Sequence, residues 1–104
     1  MIFVFEVVIS PGYTAEAYAE AWVRASEIIQ QAPGARGTRL HRKIGDDRTL
    51  LAIASWDSKA QRDAMEADPS ADVKRIIAEQ AEFVDVRVIG EFEDPDWIVN
   101  PGQS

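Results

Sequence analysis

The chain has 104 residues, enough for one compact domain with a modest core. Hydrophobic residues make up 46% and cysteine is absent, which argues against overall disorder, excludes disulfides and thiolate metal sites, and makes a reducing cytoplasm the expected compartment. Lys and Arg number 11 against 18 Asp and Glu; the net charge of −7 repels phosphate backbones, no basic run offsets it, and nucleic acid is not an expected partner.

Residues 2–9, β-branched and aromatic, predict a strand. The opening MIFVFEVVI carries Glu6 and lacks a basic leader and a small-residue cleavage site, so it does not read as a secretion signal. Ser10-Pro11-Gly12 is a turn, and Thr14 is placed to cap a helix. Tyr18, Ala21, Trp22, Ala25, Ile28 and Ile29 then recur at three- and four-residue steps, which is one apolar helical face, and Pro33-Gly34 ends it. Residues 37–44 and 49–56 flank Gly45-Asp46-Asp47-Arg48 and predict a hairpin with a short polar loop. Ser58 caps a helix running to about Ala67, Pro69 interrupts it, and Ser70 caps a further helical stretch containing Val73, Ile76, Ile77 and Ala81. Residues 83–92 predict the last strand, which closes a domain over 1–92. The tail, 93–104, has two prolines and no periodicity and reads as an extended arm. No apolar run is long enough to span a bilayer, so no membrane association is expected.

The order β-α-β-β-α-β is the split βαβ, ferredoxin-like plan: an α+β domain with a four-stranded antiparallel sheet and its helices on one face. Alternation puts Phe3, Phe5, Val7 and Ile9 on one side of the first strand and Ile2, Val4, Glu6 and Val8 on the other. In the third strand Leu51 and Ile53 oppose Leu50, Ala52, Ala54 and Trp56. Both faces are apolar, yet the helices cover one. A homodimer in which a second subunit covers the other is the expected arrangement; the alternative is that the tail folds back over it.

Two stretches, PGARGTRLHRK and TLLAIASWDSKAQRDAMEADPS, resemble the antibiotic biosynthesis monooxygenase family. Shared features are a Pro-Gly before the second strand, a Trp-x-Ser closing the third, and a broken helix after it. The likeness spans roughly residues 2–92 and implies a dimeric α+β barrel. The family is functionally mixed. One branch oxidises phenolic polyketides to quinones with dioxygen and no cofactor or metal; another degrades haem; others oxidise small quinols. The phenol-oxidising site uses a Trp ending the third strand, an Asn four residues earlier, a Tyr in the next helix, and an Arg after the Asp-Pro break. Trp56, Asp68-Pro69 and Arg75 match, whereas Ala52 stands for the Asn and the Tyr position falls at Gln61 or Arg62. The haem-degrading branch has an Asn, a Trp and an iron-binding His where this sequence has roughly Phe5, Met65 and Lys74.

The candidate catalytic residues are therefore Trp56, Arg75 and Glu6, with Phe5, Trp22, Ala52, Arg62 and Met65 as candidates for binding substrate. Small alanines beside Trp56 leave room for a planar ligand against the indole, or the ring simply fills the core. Arg75, if it faces inward with Val73 and Ile76, steadies a phenolate or enolate; on the surface it pairs with Glu79. Glu6 is the best available base, or else an ion-pair partner of Arg39 or Arg87. Tyr13, Tyr18 and Trp22 line a cavity or form a core stripe. His41 reads as a surface strand residue, and Trp97 as an anchor onto a partner subunit. The function implied is monooxygenation of a small electron-rich aromatic. The alternatives are a non-oxygenase enzyme or a ligand-binding barrel without turnover.

Overall fold

The computed structural model describes residues 1–102. Its elements are β1 (Ile2–Ile9), α1 (Ala15–Ile29), β2 (Ala35–Lys43), β3 (Asp46–Trp56), α2 (Lys59–Ala67), α3 (Ala71–Gln80) and β4 (Val84–Phe92). This is the ferredoxin-like order, with the second helix broken in two. The four strands form one antiparallel sheet in the order β2-β3-β1-β4. No helix among the described residues is long and apolar enough to cross a membrane.

Local chemistry sets the helix starts. The Thr14 hydroxyl oxygen accepts the Ala17 N–H at 3.1 Å, Ser58 accepts that of Gln61 at 3.2 Å, and Ser70 accepts that of Val73 at 3.2 Å. Each satisfies a backbone donor that has no partner within its helix. Asp68-Pro69 separates α2 from α3, because proline has no N–H to extend the helix and disfavours helical backbone before it.

The hairpin is tighter than the sequence predicts. Strand pairing runs on to Lys43 opposite Asp46, so Ile44-Gly45 makes the turn and Asp46-Asp47-Arg48 belongs to β3. Gly45 supplies the positive φ of 85° that the turn requires. The Asp46 carboxylate accepts the Arg48 N–H at 3.0 Å and the Thr49 hydroxyl at 2.6 Å, which holds the register shift after Arg42 in place. Those two bonds, with Lys43 and Arg48 nearby, hold its carboxyl below the usual range.

Val7, Ile9 and Leu50 pack under Ala15 and Tyr18, while Ala21 and Ala25 of α1 meet Ile76 of α3. The opposite sheet face carries Ile2, Val4, Leu51 and Ile53 and has no helix over it. The tail makes no helix or strand over 93–102. Asp94 binds the Met1 ammonium at 3.0 Å, and Trp97 is 89% exposed. The tail does not cover the apolar face as a packed layer, and residues 103–104 lie outside the described residues.

Candidate functional site

A cavity of about 520 Å³ lies between the sheet and the three helices. Its size falls within the range of small-molecule sites. Each helix contributes one face at three- and four-residue spacing: Tyr18, Ala21, Trp22, Ala25 and Ile29 from α1; Arg62, Met65 and Glu66 from α2; Val73, Ile76 and Ile77 from α3. The sheet floor presents Phe3, Phe5, Ala54 and Trp56, with Val84 and Val86 toward the β4 edge. The space exists because alanines at 21, 25 and 54 stand where larger side chains would fill it.

Trp56 is fixed firmly. Its N–H donates to the Met1 carbonyl and its own carbonyl accepts the Met1 ammonium, both at 2.9 Å. The next residue, Asp57, donates its N–H to the Gly34 carbonyl at 2.8 Å. The side chain is only 2% exposed to bulk solvent, yet it borders the cavity. A plug and a wall are thus the same residue.

Arg62 is the one cationic side chain in this wall and is 8% exposed. Its guanidinium carbon lies 3.7 Å from the centre of the Phe3 ring, a cation–π contact, and Phe3 packs on Phe5 at 5.7 Å. Its Nη1 lies 2.8 Å from the Glu66 carboxylate, 3.8 Å from Asp63 and 3.9 Å from Glu91. Asp63 and Glu91 also bind Lys59, at 2.9 and 3.3 Å. Tyr18 is buried among apolar groups, which pushes its phenol up to about 12, so it is a hydrogen-bond donor at neutral pH. Thr38 and Gln30 are tied down by donation to the Ile53 carbonyl at 3.2 Å and acceptance from the Gly37 N–H at 2.8 Å.

Of the residues singled out from sequence, Trp56, Phe5, Trp22, Arg62 and Met65 come together around this space. Arg75 does not. It is 64% exposed, between Asp72 at 3.3 Å and Glu79 at 3.9 Å, on the α3 face turned away from Val73 and Ile76. Ala52 is fully buried, paired with Phe5 and Leu40, and does not reach the cavity surface. Glu6 lies on the other sheet face, in register with Leu51 and Arg87, and forms no ion pair among the described residues. His41 is exposed on that same side of the sheet, opposite Leu51. Phe3 and Glu66 were not singled out. The signals for them were alternation with Phe5 and the four-residue step from Arg62. Among the described residues no three His, Cys, Asp or Glu side chains converge as a metal site.

The structure resembles a variant of SnoaB, a cofactor-independent oxygenase from Streptomyces nogalater, with a TM-score of 0.80 at 19% identity over 95% of this chain and 96% of that one. It also resembles a structure described as an antibiotic biosynthesis monooxygenase, with a TM-score of 0.69 at 17% identity over 91% and 100%. A conserved protein from Methanosarcina mazei Go1 gives 0.67 at 12% identity over 88% and 92%. At these identities the likeness is one of fold. No curated protein matches the chain by sequence. The family model for antibiotic biosynthesis monooxygenases matches residues 1–76, most of the chain and every element through the first half of α3. The chain belongs to the antibiotic biosynthesis monooxygenase family.

Proposed function

We propose that this protein is a cofactor-independent monooxygenase that oxidises a small electron-rich aromatic, a phenol, quinol or polyketide-like ring system. One observation carries the reading: a ring-lined apolar cavity with a single buried guanidinium, Arg62, in its wall. Membership of the family supports it. Such substrates, once deprotonated, pass an electron to dioxygen themselves. The protein has to bind the ring, exclude water and hold the anion. Trp56, Trp22 and Phe5 supply planar and apolar walls, Arg62 faces the oxyanion, and the Tyr18 hydroxyl donates a second hydrogen bond. For an anthrone the ring methylene gains one oxygen atom as a carbonyl, and its two hydrogens leave with the other oxygen atom as water.

A second reading, ligand binding without turnover, is favoured by Ala52, a buried alanine where the phenol-oxidising branch has an amide. Aerobic incubation with hydroquinones and anthrones separates the two. Oxygen uptake and quinone absorbance above those of Trp56→Phe and Arg62→Gln proteins support oxygenation. A thermal shift with no uptake supports binding alone.

The working unit we propose is a homodimer joined through the outer sheet face, where half-buried Ile2, Leu51 and Ile53 and exposed Val8 and Phe92 form an apolar surface without a helix. The accessible surface is 7194 Å². A folded monomer of this mass has roughly 5,800 Å². That excess, to which the exposed tail residues Trp97, Ile98 and Val99 contribute, supports a partner.

A further inference from the structure

We infer that Arg62 and Glu66 form an exchangeable ion pair, and that the ligand is a planar aromatic oxyanion that takes the place of Glu66 on the guanidinium. The inference rests on the cavity being the substrate site, but it does not depend on turnover.

Among the described residues three carboxylates face Arg62, and they are not equivalent. Asp63 and Glu91 lie 3.8 and 3.9 Å from Nη1, and Lys59 binds both more closely. Glu66 sits at 2.8 Å and has no other cation among the described residues. Its side chain is 61% exposed, so release to water costs it little. Arg62 cannot leave in the same way, because it is buried over the Phe3 ring. A buried guanidinium without an anion is strongly unfavourable, so something must stay on it. Both partners of the pair line the cavity. An aromatic carboxylate or phenolate lying along Trp56 presents an oxygen to the same guanidinium nitrogen, Nη1, that Glu66 occupies.

The exchange also gives Glu66 a role. Released from Arg62, it is the only carboxylate among the described residues of the cavity lining, and it can accept a proton from a substrate hydroxyl. Tyr18 cannot do this at neutral pH, since burial holds its phenol up to about 12.

Equilibrium binding under anaerobic conditions tests the exchange without any oxidation. The probes are naphthoate, its neutral isostere naphthamide, and para-nitrophenol, followed by tryptophan quenching and by nitrophenolate absorbance. Naphthoate is expected to bind at least about tenfold more tightly than naphthamide, the scale of one charge-assisted hydrogen bond. Bound para-nitrophenol is expected to ionise at lower pH than in solution. Naphthoate alone showing these effects narrows the class to carboxylates, and nitrophenolate alone narrows it to phenols. Glu66→Gln is expected to tighten oxyanion binding roughly two- to fivefold by removing the competitor. Arg62→Gln is expected to abolish the preference for anions. Equal binding of naphthoate and naphthamide together with an unshifted nitrophenol, or a Glu66→Gln protein that binds no better than wild type, overturns the inference. Anion binding without oxygen uptake leaves the exchange standing and removes only the oxygenase reading.

Discussion

Arg62 and Arg75 carry the same charge on successive helices, yet one is buried against a ring and the other is shared between two surface carboxylates. Family spacing pointed to Arg75, and only packing shows that its helix face turns outward. Arg62 was legible as a candidate because it stands at the position of a known polar side chain, but nothing in the sequence fixes its contact with Phe3. Removing its charge while keeping length and polarity, as in Arg62→Gln, is expected to lower the rate of oxygen uptake about a hundredfold, the scale of losing one oxyanion-stabilising group. The Arg75→Gln protein is expected to keep the wild-type rate within a factor of about two, since its surface ion pairs are worth little. Tyr18 makes a separate prediction. Its phenol pKa is raised from 10.0 to about 12, so the unfolded chain loses this proton first. Its contribution to stability is full below pH 10 and is lost as pH rises toward about 12. Tyrosinate absorbance is expected to show a step near 12 that Tyr18→Phe removes, and denaturant midpoints in the two proteins are expected to converge over the same window.

At the scale of elements, the helix caps, the Asp68-Pro69 break and the apolar helix faces follow from local rules and agree with the sequence reading. The β2–β3 turn does not. Its polar residues suggested a four-residue loop, but the Asp46 carboxylate binds its own strand and lets pairing continue to the Ile44-Gly45 turn. The cavity was only partly legible for a related reason. Ala54 and Trp56 were seen to share a face, but the gap between three helix faces depends on how they cross. Gly34 ties these pieces together. It has φ of 87°, accepts the Asp57 N–H, and lies so close to α2 that an added Cβ would fall 2.8 Å from Gln61 Cβ. Gly34→Ala is therefore expected to cost about 2–4 kcal/mol, combining left-handed strain with overpacking. Urea denaturation checks this. A cost below about 0.5 kcal/mol would mean that α2 can shift freely beneath Trp56.

For the whole molecule, strand alternation alone implied two apolar sheet faces, and the structure leaves the outer one without a helix. Light scattering is expected to give twice the chain mass of 11.6 kDa, and Ile53→Glu or Leu51→Glu is expected to give monomers. A wild-type monomer at all concentrations would contradict the dimer. The tail, with Trp97 exposed, is the remaining apolar element, and Trp97→Ala is expected to weaken the dimer without abolishing it. The central claim concerns the cavity: that this chain alone, with no added cofactor, places an oxygen atom from dioxygen on an aromatic substrate. The most direct measurement is mass spectrometry of the quinone formed from an anthrone under isotopically labelled dioxygen, with protein dialysed against chelator. The account predicts one labelled oxygen in the quinone, at a rate that falls steeply in the Arg62→Gln protein. Quinone formation no faster than without protein, or label absent from the product, would contradict it.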